Sequence, residues 1–110
     1  MIVRSWSGRA SKGAVQHYVA HARTAVFAHL ATITGYRGAL VLTQDRAADV
    51  GVTVLTFWDT MDAVRAFAGP DPHVAVVEPE ADAALIDYDR SVRHFEVAAS
   101  QAVWPGLFQP

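Results

Sequence analysis

Two histidines in the second half of the chain have residue types and positions suited to proton transfer. His94 lies in the middle of an alternating segment, on the same predicted face as Val92 and Glu96. A histidine beside a carboxylate can be poised near neutral pH, and a positioned base contributes roughly 10²–10⁴-fold to a proton transfer. His73 follows Pro72, at the predicted start of a short helix. We predict that one of these histidines is a catalytic base; His73 could also ligate a metal or haem, and a structural or surface role is the alternative for each.

Aromatic residues at predicted strand ends could form a pocket for a planar ligand. Trp58 ends a strand just before a helix, and its indole N–H requires a partner if it is buried. It either acts in catalysis by donating to a substrate oxygen or is an ordinary core residue. Trp6 lies on the helix-facing side of the first strand, where it could sandwich a planar substrate with Trp58 or fill space. The other predicted substrate contacts are Phe67 on the second helix and, in the hairpin, Tyr36 and Arg37, whose guanidinium could hold an enolate or carboxylate or be a surface charge.

A second pair of histidines has a spacing that can chelate a metal. His17 and His21 are four residues apart on one predicted helix. By helical angle they point away from the apolar stripe of Val15, Val19 and Val26, so we predict that both are solvated and that no metal is bound. The sequence contains no nucleophile elbow, phosphate-binding loop or dinucleotide fingerprint.

The composition narrows the classes of function. The 110 residues suit one domain, 52% of them are apolar, and the net charge is -2 with Lys12 as the only lysine. Nucleic acid is therefore not an expected partner, because no basic run could follow a phosphate backbone. The absence of cysteine excludes disulfides, thiolate nucleophiles and cysteine-ligated metal sites. Since no signal peptide and no apolar run of about 20 residues is visible, we predict a cytoplasmic protein that does not enter a membrane.

Hydrophobic periodicity predicts the elements that position these residues. Alternation predicts four strands, at residues 2–8, 36–44, 50–58 and 91–98, of which the second and third form a hairpin. Helical spacing predicts three helices: residues 11–30 with Ser11 as N-cap, residues 60–67 with Asp59 or Thr60 as N-cap and Gly69 as stop, and a short helix from Asp71–Pro72 to Pro79. Residues 80–90 stay ambiguous.

The order of these elements is β-α-β-β-α-β, which predicts an α+β, ferredoxin-like fold with an antiparallel sheet and its helices on one face. The other face carries one side of an apolar strand, so we predict that it is buried in a homodimer about a two-fold axis. A monomer whose tail folds over the sheet is the alternative. The predicted domain spans residues 1–98, and residues 99–110 form an apolar tail that packs on the dimer or over the pocket.

Three segments are similar to the antibiotic biosynthesis monooxygenase family, a branch of the dimeric α+β barrels. They are LTFWDTMDAVRAFAG (residues 55–69), GYRGALVL (residues 35–42) and SVRHFEV (residues 91–97). The resemblance implies either of two activities. Some members oxidise activated polycyclic phenols with O2 and use neither metal nor flavin, whereas others bind and cleave haem with an asparagine, a tryptophan and a histidine.

Carried over to this chain, the resemblance places Trp58 at the tryptophan position, Trp6 in place of the asparagine, and His73 in the region of the histidine. It implies a cofactor-independent monooxygenase that oxidises a planar phenolic or polyketide-like aromatic substrate with O2. The alternatives are a haem-binding or haem-degrading monooxygenase, with haem as cofactor, and a dimer that binds a small ligand without chemistry.

Overall fold

The chain forms one antiparallel sheet whose helices pack against one face, as the α+β prediction requires. The computed structural model describes residues 1–101. The strands are β1 (Ile2–Ala10), β2 (Tyr36–Asp45), β3 (Val50–Trp58), β4 (Asp87–Tyr88) and β5 (Arg93–Glu96). The helices are α1 (Val15–His21), α2 (Phe27–Leu30), α3 (Met61–Ala68) and α4 (Pro79–Ala84), and a π-helical turn, Ala22–Val26, joins α1 to α2. No helix within residues 1–101 has the length and apolarity needed to cross a bilayer.

The sheet has the ferredoxin-like strand order with a divided edge strand. On one side, β1 pairs with β3 along its whole length, and β3 pairs in turn with β2. On the other side, β4 pairs with Gly8 and Arg9, and β5 pairs with residues 2–5. Two short strands therefore stand where a single last strand was predicted. The bounds predicted for β3 are confirmed, whereas β1 continues two residues past its predicted end at Gly8.

Alternation along the strands decides which side chains meet the helices. Arg4 lies opposite Thr56 and Trp6 lies opposite Val54, on the face that packs against α1. The opposite face carries apolar side chains that include Phe95, which is 53% exposed. The tail predicted to cover this face or the pocket lies, from residue 102 onward, outside the described residues.

The predicted long helix is present, but it starts later and contains a wider turn. Ser11 accepts a hydrogen bond from the backbone N–H of Ala14 at 3.1 Å, so it caps the turn before the helix, which begins at Val15. The π turn, residues 22–26, takes in one residue more than an α turn because its hydrogen bonds run to the fifth residue. Leu30 remains buried at 1% exposure on the far side of this turn.

Gly35 joins the long helix to β2 at a position that only glycine fits. Its φ is +90°, and a Cβ atom built there would lie 2.7 Å from the Cβ of Ala63 on α3. Its carbonyl accepts from the backbone N–H of Asp59 at 2.8 Å. Of the two predicted caps of α3, Thr60 is the one that accepts from Ala63, at 3.1 Å.

The predicted helix between Asp71–Pro72 and Pro79 is wrong. Residues 70–78 form no helix, and Pro79 begins α4 instead of ending a helix. The carbonyls that a helix would use are engaged elsewhere, since Arg4 donates to the carbonyls of Pro72 and Val74. Long-range hydrogen bonds therefore override the local signal.

Candidate active site

A cavity of about 80 Å³ lies between the sheet and the helices. Its walls combine aromatic and ionisable side chains, which include Arg4, Trp6, Tyr18, His21, His29 and Phe67. Val76 and Val77 also line it, and we call residues 72–80 the roof segment. Ligand pockets for drug-sized molecules measure about 300–1,000 Å³, so the enclosed space holds only a small group or one end of a larger one.

Arg4 places a positive charge at the cavity. Its side chain comes from the middle of β1, and the residue is only 5% exposed. Its Nη1 donates to the carbonyl of Pro72 and lies 3.0 Å from Nε2 of His94, and its Nη2 donates to the carbonyl of Val74 at 3.0 Å. Within residues 1–101, no carboxylate pairs with this guanidinium. Burial lowers the pKa of Arg4 to about 10, so the group remains charged at neutral pH.

The structure brings the two predicted catalytic histidines together beside Arg4. The rings of His73 and His94 meet edge to face with centroids 5.4 Å apart. Because arginine only donates, Nε2 of His94 accepts and is unprotonated, which leaves the proton on Nδ1. Burial, followed by the charges of Arg4 and His73, lowers the pKa of His94 below its ordinary value. Since its basic nitrogen is already engaged by Arg4, His94 is placed to orient the guanidinium.

Trp58 lies in the core beneath the site, and it does not line the cavity. It is completely buried, and its indole N–H donates to Oγ1 of Thr56 at 2.8 Å. Its ring stacks on Phe67 with centroids 5.8 Å apart and meets Tyr36 edge-on at 5.4 Å. The buried N–H that prompted the prediction is therefore satisfied within the protein, and Trp58 supports the site from below.

Trp6 and Phe67 are placed as predicted substrate contacts should be, since both line the cavity. The Trp6 ring lies 6.2 Å from the ring of Tyr18, and its indole N–H donates to the carbonyl of Asp89 at 2.9 Å. The Phe67 ring lies under the guanidinium of Arg4, with 5.7 Å between Cζ and the ring centroid. The two tryptophans do not face each other across the cavity, because Trp58 is behind Phe67.

Tyr36 and Arg37 lie at the start of β2, away from the cavity lining. Tyr36 packs on Trp58, and burial raises the pKa of its hydroxyl. Nε of Arg37 lies 3.6 Å from Oδ1 of Asp59, at the start of α3. These contacts support the turn that carries Trp58.

His21, which we predicted to be solvated, is instead buried against the roof segment. Its side chain is 5% exposed, with Nδ1 3.0 Å from a carboxylate oxygen of Glu80 and Nε2 3.3 Å from one of Glu78. The prediction was wrong because His21 follows Tyr18 by three residues and thus extends the buried stripe. That spacing is the signal in the sequence that could have found it.

His29 is a further cavity residue that the sequence did not single out. It lines the cavity, and its ring centroid lies 6.1 Å from that of Phe67. No residue of the described part of the chain forms a hydrogen bond with its ring nitrogens. Its position next to the buried Leu30 is the only sequence signal for it. Arg4 had a clearer one, since alternation puts it on the same strand face as Trp6.

A wider depression of about 710 Å³ lies on the other face of the sheet. Its lining includes Arg9 and Asp87, which form an ion pair at 2.6 Å. Arg9 also pairs with Asp49 at 2.6 Å. The charges there are already balanced, so the smaller cavity is the better candidate for chemistry.

Comparison with known proteins identifies the fold. No protein-family profile and no curated protein sequence matches the chain. Among solved structures, the chain is similar to a candidate antibiotic biosynthesis monooxygenase from Bacillus cereus. The two share 18% identity with a TM-score of 0.65, over 94% of this chain and 96% of that chain. This likeness confirms the fold that the sequence resemblance implied.

Proposed function

We propose that this chain is a monooxygenase that oxidises a small phenol-type substrate with O2 and needs no resident cofactor. One observation carries the proposal: the imidazole of His29 and the guanidinium of Arg4 both line one cavity, each about 6 Å from the Phe67 ring. A base and a fixed positive charge around an aromatic slot are what formation of a carbanion or phenolate requires. The shared fold with a candidate monooxygenase supports the same activity.

The proposed reaction converts an activated methylene, conjugated with a phenolic oxygen, to a ketone. A base takes one proton from the methylene, and the anion passes one electron to O2. The resulting radical and superoxide join through a new C–O bond, and the peroxide regains the proton. Loss of the second C–H proton and cleavage of the O–O bond then release water and form the C=O group. The substrate supplies all the electrons, so one oxygen atom enters the product and the other enters water.

His29 is the residue best placed to take the proton. The two nitrogens of His21 lie against carboxylates, and Nε2 of His94 accepts from Arg4. Tyr18 is not a base at neutral pH, since burial raises its pKa to about 12. His29 alone among these groups lines the cavity with ring nitrogens that residues 1–101 leave unbonded. His94 and His73 hold the Arg4 end of the site.

The haem alternative is less well supported by the residues present. Haem is many times larger than benzene, and an engineered cavity that binds benzene measures about 150 Å³. The cavity of this chain is about 80 Å³, and the guanidinium of Arg4, which contacts His94, forms part of its wall. We therefore route no step through haem.

Oxygen uptake with isotope labelling tests the proposal. A panel of one-ring and three-ring phenols with an activated methylene would be incubated with the protein under ¹⁸O₂. We expect uptake of one O2 for each substrate and one labelled atom in the product. His29→Gln should lower kcat by about 10²-fold or more. His17→Gln is the matched control, because His17 is an exposed histidine of the same long helix.

Three results would speak against the proposal. Unlabelled product would exclude an oxygenase, and equal kcat values for the two histidine variants would exclude His29 as the base. Tight binding of a panel member without oxygen uptake would favour a module that only sequesters a small aromatic ligand.

We also propose that a second copy of the chain covers the open face of the sheet. Phe95 and Leu42 are 53% and 44% exposed there. Val3 and Leu55 alternate onto the same face, since Val3 pairs with both Phe95 and Phe57 and Leu55 is two residues from Phe57. Identical apolar faces can meet about a two-fold axis, which would cover the exposed Phe95 and Leu42 of each copy.

A further inference from the structure

We propose that the free N–H groups of Arg4 form a subsite for an ionised oxygen on a single aromatic ring. The inference names the substrate class of the proposed active site and rests on that function only in placing the ligand in this cavity. Binding alone tests it, so it can fail or succeed independently of any oxidation.

The first argument is the count of donors. A guanidinium has five N–H groups. Nη1 donates one hydrogen to the carbonyl of Pro72 and the other to Nε2 of His94, and Nη2 donates one hydrogen to the carbonyl of Val74. The Nε hydrogen and the second Nη2 hydrogen have no partner within residues 1–101. Adjacent donors of this kind match the two lone pairs of one oxyanion or the two oxygens of a carboxylate.

The second argument is charge. All three partners of Arg4 are neutral groups, two carbonyls and an imidazole, and the residue is 95% buried by accessible surface. A buried charge without a counter-charge is costly, and the usual remedies are an ion pair or a bound ion. An anionic ligand would supply the missing negative charge, whereas a neutral analogue of the same shape would leave the cost in place.

The third argument is shape. The guanidinium of Arg4 lies over the Phe67 ring, and Trp6 forms another wall of the same cavity. A flat ring bearing the oxyanion can lie against these aromatic surfaces. The volume of about 80 Å³ is about half that of an engineered cavity that binds benzene, so the walls enclose only the oxyanion-bearing end of such a ring.

Paired ligands that differ only in charge provide the test. 4-Nitrophenol would be used at a pH where it is ionised, and 4-nitroanisole, its methyl ether, is the neutral analogue. Binding would be measured by equilibrium dialysis and by quenching of tryptophan fluorescence. We expect the phenolate to bind about tenfold or more tightly than the ether, because hydrogen bonds to charged groups are the strong ones.

Two variants locate the preference. Arg4→Met should abolish it and leave the ether's affinity nearly unchanged. Arg23→Met removes the same charge from an exposed position of the π turn and should change neither affinity. If Arg4→Met does not fold, the comparison of the two ligands on the unmodified protein still decides.

Equal affinity for the phenolate and the ether, or binding of neither, would overturn the subsite. A preference that persists in Arg4→Met would overturn the assignment to Arg4. Oxygen uptake without a preference for the phenolate would contradict the subsite and leave the proposed function intact. A preference for the phenolate without oxygen uptake would support the subsite and contradict the proposed function.

Discussion

The hydrogen bond between Trp58 and Thr56 yields a quantitative prediction. The indole is completely buried and donates to the Thr56 hydroxyl at 2.8 Å, and Thr56 is itself 6% exposed. Thr56→Val would leave the N–H buried without an acceptor, at a cost of about 1–3 kcal/mol in unfolding free energy. Trp58→Phe loses the bond and part of the ring's packing, which together cost about 2–3 kcal/mol. The double variant removes both partners, so we expect it to be more stable than the sum of the single effects by about 1–2 kcal/mol.

Urea unfolding followed by circular dichroism measures this coupling. For a small domain the denaturant slope is about 1–3 kcal/mol per molar urea, so the coupling amounts to a midpoint difference of about 1 M from additivity. Effects that add within about 0.5 kcal/mol would refute the reasoning, because they would mean that the indole N–H does not depend on Thr56.

Three further predictions concern acidity, backbone geometry and assembly. The folded state holds the pKa of His94 below the ordinary 6.5, so the unfolded chain binds protons more readily than the folded one. The unfolding free energy should therefore fall as the pH drops below 6.5. Urea titrations at a series of pH values should show a smaller fall for His94→Gln. Gly35→Ala should destabilise the fold by about 2–3 kcal/mol, since its φ is +90° and Ala63 lies in the way, whereas Gly13→Ala, with open space around it, should change the melting temperature little. Phe95→Glu should turn a sedimenting dimer into a monomer at micromolar concentration, and an unmodified protein that sediments as a monomer would contradict the proposed assembly.

Short-range sequence patterns predicted most of the fold. Alternation in residues 50–58 predicted β3 to the residue, because each of its side chains faces one of two apolar environments. The cap at Thr60 and the stop at Gly69 likewise follow from short-range chemistry. The divided edge strand could not be predicted, since β4 and β5 have two and four residues and depend on their pairing with β1.

The candidate site was predicted only where it coincides with apolar periodicity. Trp6 and Phe67 were expected to contact a substrate, and both line the cavity. Alternation puts Arg4 on the same strand face as Trp6, but its role depends on carbonyls 68 and 70 residues away in the chain. His21 lies three residues after the buried Tyr18 and His29 lies next to the buried Leu30, so a stripe drawn through valines alone passes over both histidines. The spacing of residues along one element does not reveal a site whose contacts join residues far apart in the sequence.

Buried hydrogen bonds hold one end of the roof segment and exposed carboxylates hold the other, so salt should affect the two ends differently. At one end, the buried guanidinium of Arg4 donates hydrogen bonds to main-chain carbonyls in the interior, where dissolved ions do not reach. At the other, His21 meets the carboxylates of Glu78 and Glu80, whose side chains are 47% and 71% exposed. Dissolved ions screen exposed charges over about 10 Å at 0.1 M ionic strength, so while His21 is protonated a concentrated electrolyte weakens the contacts at the glutamate end only. The hydrogen bonds from Arg4 then keep the segment attached at its buried end.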